Sequence, residues 1–320
     1  MKISLITPAK KQSRAGNRTT AVRWARILGD LGHRVRVAVA YEDEPADAMV
    51  ALHAWRSAGS IVRFRERHPG RPLIVALTGT DIYRFQKSHP KPTLRSMDLA
   101  DALVCLHDLV FEAIPARFGA KLHVIHQSAL PLPGPRRPSV RHFDICVIGH
   151  LRYEKDPLRA ALAVRRVAAS SRLRVIQLGQ AVDATWAAKA RAEMARNPRY
   201  HWRGEVPGWA VRREWAKTRL MVLSSVMEGG ANVISEAAVA GVPVIASDIH
   251  GSVGLLGRDY PGYYPVGDTA ALRDLLMRAE GDGAYLDTLA RYCAKRARLF
   301  TPDREFRAWR ALMARFTRSG

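Results

Sequence analysis

The sequence predicts an α/β protein with two domains, each built on a doubly wound parallel sheet. Short runs that are apolar on both faces alternate with helix-length segments along most of the 320 residues, as parallel sheets covered by helices require. Four prolines within residues 131–138 interrupt this alternation, because proline fits the interior of neither a helix nor a sheet. We therefore predict one domain at residues 1–135, a second at 136–300, and a terminal helix within 301–320 that packs back towards the first domain.

The first domain begins with a βαβ pattern. Residues 3–7 and 35–40 are predicted strands, and between them residues 19–31 carry apolar side chains at helical spacing and end at Gly32. Further short apolar runs predict strands at 73–77, 102–106 and 122–125.

The second domain repeats the alternation. Strands are predicted at 143–148, 174–178, 220–223 and 242–246, and helices at 158–169, 184–196, 209–217, 233–240 and, near the end of the chain, 304–317. Parallel sheets bind ligands at the carboxyl ends of their strands. We therefore expect the two domains to face each other across a ligand-binding cleft.

The composition limits the classes of protein to which this chain can belong. The three cysteines have no paired or metal-type spacing, and Cys105 and Cys146 lie in apolar runs that predict buried strands. The apolar stretch at the amino terminus is too short for a signal peptide, so we expect a cytoplasmic protein. A formal net charge of +22 indicates that anions matter to its function, without saying which anions.

The most informative segment is residues 228–247, EGGANVISEAAVAGVPVIAS. Gly229 and Gly230 permit close approach of backbone to a ligand, and Asn232 is a suitable cap for the helix that follows. The free amides at this helix start form a site for a diphosphate. Glu236, about one turn into the helix, can reach a ribose diol beside that diphosphate, and Glu228 precedes the turn.

This segment resembles the family 4 retaining glycosyltransferases of GT-B fold, which have two Rossmann-like domains. Their frame, E-G-x-x-x-x-x-x-E-A-x-x-x-G-x-P-V-[VI]-A-[ST], is matched at every fixed position. The resemblance implies that Glu228 contacts the sugar of a nucleotide-sugar donor and that Glu236 contacts its ribose hydroxyls. It also implies donor binding by the intervening segment, which comprises Gly229, Gly230, Ala231, Asn232 and Val233.

A second element of that family, G-R-L-x-x-E-K, supplies an arginine and a lysine that neutralise the departing diphosphate. This chain has Gly-His-Leu-Arg-Tyr-Glu-Lys at residues 149–155. Lys155 matches, whereas His150 occupies the usual arginine position. We interpret Lys155 as one cation of the site and either Arg152 or His150 as the second.

We expect no metal and no bound cofactor. No Asp-x-Asp pair follows a predicted strand, and residues 42–44 form an acidic loop instead. The glycine spacing at residues 251–257 does not match a dinucleotide-binding fingerprint. Cationic side chains and a helix terminus are therefore expected to take the place of a metal.

The acceptor is expected to bind to the first domain. Its first βα loop, residues 8–20, carries Lys10, Lys11, Arg14 and Arg18 before a helix start, a combination suited to a phosphate-like anion. Two further segments, 52–60 and 77–83, follow strand ends and should line the same cleft. The candidate acceptor-binding residues are Arg14, Gly16, Asn17, Arg18, Thr19, His53, Arg56, Thr80 and Asp81.

Three segments of the first domain resemble a narrower subgroup, the selenosugar synthases of selenoneine biosynthesis. They are RAGNRTTA (14–21), LHAWRSA (52–58) and LTGTDIY (77–83). The resemblance implies UDP-N-acetylglucosamine or UDP-glucose as the donor and selenophosphate as the nucleophile. The cationic first loop suits such an anion better than it suits a neutral sugar.

Two other functions remain open from the residues alone. A membrane-peripheral glycosyltransferase acting on a lipid-linked or saccharide acceptor would need apolar residues exposed beside the cations, and Trp24 and Ile27 on the first helix are candidates. The net charge also fits a nucleic-acid-binding protein, but that function would leave the two-glutamate frame without a purpose.

Overall fold

The computed structural model of the protein describes residues 1–9 and 16–317 and divides into two compact units. The first comprises Met1–Gln127, Glu228–Gly230 and Pro302–Gly320, and the second comprises Ser128–Met227 and Ala231–Thr301. The division after Gln127 differs from the boundary predicted at residue 135. The proline-rich segment belongs to the second unit because Arg212 donates to the carbonyl oxygens of Leu130 and Pro131, and Arg136 donates to those of Thr218 and Gly241.

The first unit contains a six-stranded parallel sheet with the order β2-β1-β3-β4-β5-β6. Its strands are β1 (Lys2–Ile6), β2 (Arg34–Ala38), β3 (Ala48–Leu52), β4 (Leu73–Ala76), β5 (Ala102–Cys105) and β6 (Leu122–Val124). The central strands β3, β4 and β5 are buried at every position, as expected for a sheet covered on both faces.

Among the described residues, the α-helices between these strands are α1 (Gly16–Asp30), α2 (Ala58–Arg67), α3 (Gln86–Ser88) and α4 (Pro90–Leu99). A π-helical turn, Asp81–Phe85, leads into α3. Helix α1 begins at Gly16 rather than at the predicted Thr19, so Gly16, Asn17 and Arg18 form its first turn instead of a preceding loop. The backbone N–H groups of a first turn have no partner inside their own helix.

The last helix in the chain is α12 (Pro302–Thr317), which belongs to the first unit and packs on α1. The rings of Trp24 and Trp309 are 4.8 Å apart edge to face, and Trp24 Nε1 donates to Glu305 at 2.8 Å. Trp24 is fully buried and Ile27 nearly so, because α12 covers this face of α1. The expectation that these two side chains are exposed for membrane contact is therefore wrong. Within residues 1–9 and 16–317, no helix is long and apolar enough to cross a membrane.

The second unit contains another six-stranded parallel sheet, with the order β12-β11-β10-β7-β8-β9. Its strands are β7 (Phe143–Ile148), β8 (Leu173–Leu178), β9 (Tyr200–Trp202), β10 (Leu220–Leu223), β11 (Val244–Ser247) and β12 (Tyr263–Tyr264). Counted within the unit, this order is 3-2-1-4-5-6 reversed, the arrangement of dinucleotide-binding folds.

The helices of the second unit are α5 (Arg159–Val164), α6 (Ala184–Arg196), α7 (Gly208–Lys217), α8 (Asn232–Val239), α9 (His250–Leu256), α10 (Thr269–Gly281) and α11 (Gly283–Ala297). Helix α5 is shorter than the predicted 158–169. The guanidinium group of Arg199 donates to the carbonyl oxygens of Ala168 and Ala169, and these hydrogen bonds hold that segment in a turn.

Candidate functional site

Each sheet has a position where the chain changes direction across the sheet, and such positions bind ligands at the carboxyl ends of the strands. In the second unit this position lies between β7 and β10. The loop after β7 carries Lys155, and the loop after β10 leads to the two-glutamate segment. In the first unit it lies between β1 and β3. Helix α1 follows β1, His53 and Arg56 follow β3, and Thr80 and Asp81 follow the next strand, β4. In the second unit, the topology and the sequence motifs therefore point to the same loops.

The Lys155 loop is held in place by the end of β10. Ser224 Oγ donates to the carbonyl oxygens of Lys155 at 3.1 Å and Asp156 at 2.8 Å, and Val226 N donates to Glu154 O at 2.9 Å. A Cβ on Gly149 would lie 3.7 Å from Lys155 Cδ, so the lysine stem runs along this glycine. The position of Lys155 is thus fixed by both strands that flank the change of direction.

The two candidates for the second cation differ in their ability to carry charge. Burial lowers the pKa of His150, and the nearby Arg152 and Lys155 lower it further, so His150 is neutral at pH 7. A guanidinium group, by contrast, is a permanent cation with several hydrogen-bond donors. Its Nε is buried without a hydrogen-bond partner among the described residues, and Glu154 Oε2 is 3.9 Å away. The geometry therefore favours Arg152 over His150.

Gly229 and Gly230 occupy positions that admit no side chain. A Cβ on Gly229 would lie 2.3 Å from the backbone N of Gly79, and one on Gly230 would lie 2.4 Å from Leu106 Cβ. Gly230 and Gly79 also have positive φ angles, which side-chain-bearing residues rarely adopt. These glycines bring the backbone beside the half-buried Glu228 against the turn that follows β4.

Helix α8 presents Glu236 after its first turn. Trp215 Nε1 donates a long hydrogen bond of 3.4 Å to Glu236 Oε2, and the indole is buried. The expectation that Asn232 caps this helix is wrong: Ala231 occupies the cap position, no side chain caps it, and Asn232 is the first helical residue. The amides of Asn232 and Val233 are therefore those of the first turn itself.

The acceptor-side cations are described only in part. Lys10, Lys11 and Arg14 lie outside the described residues. Arg18 is half-buried in the first turn of α1, beside Asn17, and Gly16 and Thr19 are exposed. Gln127 Nε2 donates to Thr20 Oγ1 at 2.7 Å, which ties this helix start to the segment after β6.

His53, Thr80 and Asp81 lie together at the carboxyl ends of β3 and β4. His53 Nε2 is 2.8 Å from Thr80 Oγ1, and His53 has a φ of 75° in the left-handed region. The buried Asp81 carboxylate accepts hydrogen bonds from the amides of Ala54, Thr78, Gly79 and Ile82. Asp81 therefore shapes the turn, and Thr80 is its more exposed polar side chain.

Arg56 lies at the edge of the same group. Its guanidinium carbon is 5.9 Å from the centroid of the Trp55 ring and 5.8 Å from that of Phe85, two rings that stack at 3.9 Å. The side chain is exposed. It adds a cation at this edge of the first sheet.

The structure also brings in residues that the sequence did not single out. Ser224 and Trp215 support Lys155 and Glu236, and Tyr83 with His107 adds a second histidine–hydroxyl pair after β4 and β5. Each of these residues lies one or two positions beyond a strand or on a neighbouring helix, without a distinctive spacing of its own. Among the described residues, no group of three or more His, Cys, Asp or Glu side chains is placed to hold a metal ion.

A comparison with known protein families finds a similarity in the second unit. Residues 142–279 match the family model described as "Glycosyl transferases group 1", a segment that contains both the Lys155 loop and the two-glutamate frame. Those residues are similar to the group 1 glycosyltransferases. No curated protein matches the chain.

Solved structures that resemble the chain give its fold. The Anabaena protein HepE, in complex with UDP and glucose, is 15% identical with a TM-score of 0.77 over 98% of this chain and 99% of that chain. Sucrose-phosphate synthase from Thermosynechococcus elongatus is 14% identical with a TM-score of 0.79 over 100% of both chains. A glycosyltransferase from Rickettsia africae is 12% identical with a TM-score of 0.73 over 100% of this chain and 99% of that chain. The chain has the GT-B fold. The prediction of two Rossmann-like domains is confirmed.

Proposed function

We propose that this protein is a glycosyltransferase that moves a sugar from a UDP-sugar to selenophosphate, forming a selenosugar. The observation that carries the transferase part is the position of the Lys155 loop and the two-glutamate frame after β7 and β10, on either side of the change of direction in the second sheet. The choice of selenophosphate as the acceptor is supported by the resemblance of three first-domain segments to selenosugar synthases.

A UDP-sugar is the proposed donor. HepE, which has the same fold, holds UDP and glucose in one complex and UDP-glucose in another. The helix dipole at the start of α8 favours a diphosphate, and Glu236, after the first turn, is the proposed partner of the ribose diol. UDP-N-acetylglucosamine and UDP-glucose are the two donors to test first.

The leaving diphosphate is neutralised by Lys155 and Arg152. Charge builds up on the diphosphate oxygens as the bond to the anomeric carbon breaks, so hydrogen bonds from fixed cations strengthen in the transition state. The two hydrogen bonds from Ser224 and the packing on Gly149 hold Lys155 in place before the substrate arrives.

The proposed acceptor is an anion that needs no strong base. A selenium lone pair of selenophosphate bonds to the anomeric carbon, while the bond from that carbon to the UDP oxygen breaks and UDP leaves with the bonding pair. Water then breaks the Se–P bond of the Se-phosphorylated sugar and releases inorganic phosphate and the selenosugar. The first turn of α1 and Arg18 offer positive potential to the phosphate oxygens. Separate cationic positions for donor and acceptor reduce the repulsion between the two anions.

The acceptor assignment is tested by incubating the protein with each UDP-sugar and a panel of acceptors. The panel contains selenophosphate, phosphate, monosaccharides and anionic lipid vesicles. We expect selenophosphate to be the only one of these acceptors that gives UDP release and a product with the mass of a selenosugar. Efficient transfer to a lipid or a sugar hydroxyl, without transfer to selenophosphate, would replace this proposal with a membrane-peripheral or saccharide-modifying glycosyltransferase.

Arg18→Ala is expected to raise the KM for selenophosphate about tenfold, while the KM for the UDP-sugar stays nearly unchanged. The reason is the loss of one charge-assisted hydrogen bond to the acceptor oxygens. Arg26→Ala, which removes an exposed cation further along α1, is the matched control. Equal acceptor kinetics in the Arg18 and Arg26 variants would remove Arg18 from the acceptor site. Arg14→Ala is expected to behave as Arg18→Ala does.

Chelation of divalent metals is expected to leave the transfer rate unchanged. Lys155, Arg152 and the start of α8 provide the positive charge that a metal would otherwise supply to the diphosphate. Initial rates are compared with and without EDTA. A rate that falls in EDTA and returns with Mg²⁺ or Mn²⁺ would contradict this prediction.

A further inference from the structure

The residue after Lys155 has an unusual backbone conformation. Asp156 has a φ of 39° and a ψ of 56°, in the left-handed region. Residues with a side chain rarely adopt this conformation, and aspartate and asparagine do so more often than others because their short polar side chains form local hydrogen bonds. Such conformations persist where the surrounding structure holds them, and they are frequent at functional sites. The groups that hold Asp156 therefore matter to the loop that carries the lysine.

The conformation of Asp156 fixes the backbone of this loop. Tyr153–Lys155 is a single turn of 3₁₀ helix, and Asp156 ends it, with its amide donating to Tyr153 O at 3.1 Å. The carbonyl oxygens of Lys155 and Asp156 both lie within reach of one hydroxyl group, Ser224 Oγ, at 3.1 Å and 2.8 Å. A change of Asp156 to the right-handed conformation would turn its carbonyl group away from Ser224. The lysine would then lose part of its attachment to the end of β10.

Side chains of two helices hold Asp156 in this conformation. Arg159 Nε donates to Asp156 Oδ2 at 2.7 Å, and Arg159 Nη1 donates at 2.6 Å to Oγ1 of Thr269, the first residue of α10. The side chains of Arg159 and Asp156 are only 22% and 20% exposed. An ion pair that is partly buried and tied to a further group keeps its geometry better than an exposed pair does. We call Asp156, Arg159 and Thr269 the Asp156 network.

Tyr264, the last residue of β12, lies beside the Asp156 network. Its side chain is 1% exposed, so burial raises the pKa of its hydroxyl group, and the negative charge of Asp156 raises that pKa further. The hydroxyl group has no hydrogen-bond partner among the described residues. Within the same residues, the hydrogen bond to the Asp156 carboxylate comes from Arg159. The carboxylate is therefore held by the guanidinium group and not by the phenol.

We propose that the Asp156 network positions Lys155 for the departing diphosphate. Asp156 and Arg159 are positioning residues, since they act through the lysine and need not touch the substrate. This inference rests on the proposed function, because it takes Lys155 as the partner of the diphosphate of a UDP-sugar. It adds that the transfer rate depends on the conformation of the residue after the lysine as well as on the lysine itself.

The first test is a series of substitutions at Asp156. Asp156→Asn keeps a residue that adopts the left-handed conformation and keeps an oxygen for Arg159, so a nearly normal kcat is expected. Asp156→Gly keeps the conformation but loses the contact with Arg159, and Asp156→Ala loses both. Asp156→Ala is expected to lower kcat about tenfold with little change in the KM for the UDP-sugar, because it displaces a group that acts in the transition state. Asp156→Gly and Arg159→Ala are expected to lie between the asparagine and alanine variants.

The second test separates a positioning role from a structural one. A residue that acts only through Lys155 has no further effect once the lysine is removed, so Asp156→Ala is expected to leave kcat unchanged in a Lys155→Ala background. A general disturbance of the fold would lower the rate again in that background. Calorimetric binding of UDP, whose diphosphate carries the charge of the leaving group, is expected to show the same pattern. Each single variant binds UDP more weakly than the wild type, and the double variant binds it as Lys155→Ala does.

Two further variants serve as controls. Arg174→Ala breaks another arginine–aspartate pair of the second unit, in which Arg174 Nε donates to Asp144 Oδ1 at 2.7 Å and the arginine side chain is 29% exposed. Arg174 lies near the amino-terminal end of β8, whereas the Lys155 loop follows the carboxyl-terminal end of β7. Tyr264→Phe removes the unpaired hydroxyl group beside the network. Both variants are expected to leave kcat and UDP binding unchanged at a temperature where thermal unfolding shows that they are folded.

The outcomes separate this inference from the proposed function. If the selenosugar forms and Asp156→Ala lowers kcat equally with and without Lys155, or if the asparagine variant is as slow as the alanine variant, the network is wrong and the function stands. If UDP binding shows the expected pattern and no selenosugar forms, the network stands and the acceptor assignment is wrong. A wild-type protein that binds no UDP overturns the inference together with the UDP-sugar donor on which it rests.

Discussion

Lys155→Ala is expected to lower kcat on the order of 100-fold while changing the KM for the UDP-sugar much less. The lysine neutralises charge that appears mainly when the diphosphate departs, so its loss raises the energy of the transition state more than that of the bound donor. Steady-state rates of UDP release over a range of donor concentrations measure both constants.

Glu236→Ala provides the contrast for this prediction. Its contacts with a ribose would persist from the bound donor to the transition state, so a higher KM with a smaller change in kcat is expected. Lys189→Ala removes an exposed cation of α6 that lies over Trp186 and serves as the control for net charge. Equal losses of both constants in the Lys155 and Glu236 variants would contradict this division of roles.

Gly229→Ala is expected to reduce activity on the order of 100-fold, because small displacements at a reacting site have effects of this size. The added methyl group would lie 2.3 Å from Gly79 N and 2.4 Å from Thr78 O, and neither backbone group can move as a flexible side chain can. The displaced turns carry Glu228 on one side and Thr80 on the other. Donor binding and transfer rates are measured together with thermal unfolding.

Gly134→Ala is the matched control for that substitution. A Cβ at Gly134 would meet no atom within 4 Å, and the residue lies in the proline-rich segment. It is expected to leave activity and unfolding temperature unchanged. Full activity in the Gly229 variant would show that the close approach of the two turns is not needed for transfer.

Most strands could be predicted from the sequence because buried parallel strands are short runs that are apolar on both faces. Strand β3 was missed because Ala48–Leu52 contains alanine, methionine and leucine, which also favour helices. Strands β9 and β12 have three and two residues, too few for a pattern. The exposure of Trp24 was predicted wrongly because helix α12, which covers it, comes from the far end of the chain.

The candidate site was predictable where its residues are close in sequence. The frame from Glu228 to Glu236 and the loop ending at Lys155 are linear patterns, and each follows one strand. The pairs His53–Thr80 and His107–Tyr83 join residues that follow different strands. No regular spacing in the sequence therefore predicts these pairs. The choice between His150 and Arg152 depends on burial, which a linear pattern does not give.

The identity of the bond formed at the anomeric carbon tests the proposed function most directly. The measurement is ⁷⁷Se and ¹³C NMR of the product made from selenophosphate and a UDP-sugar labelled with ¹³C at the anomeric carbon. Our proposal predicts a one-bond coupling between selenium and the labelled carbon, with UDP released in equal amount. Label found in free sugar or in a sugar bonded through oxygen, with no coupling to selenium, would contradict it.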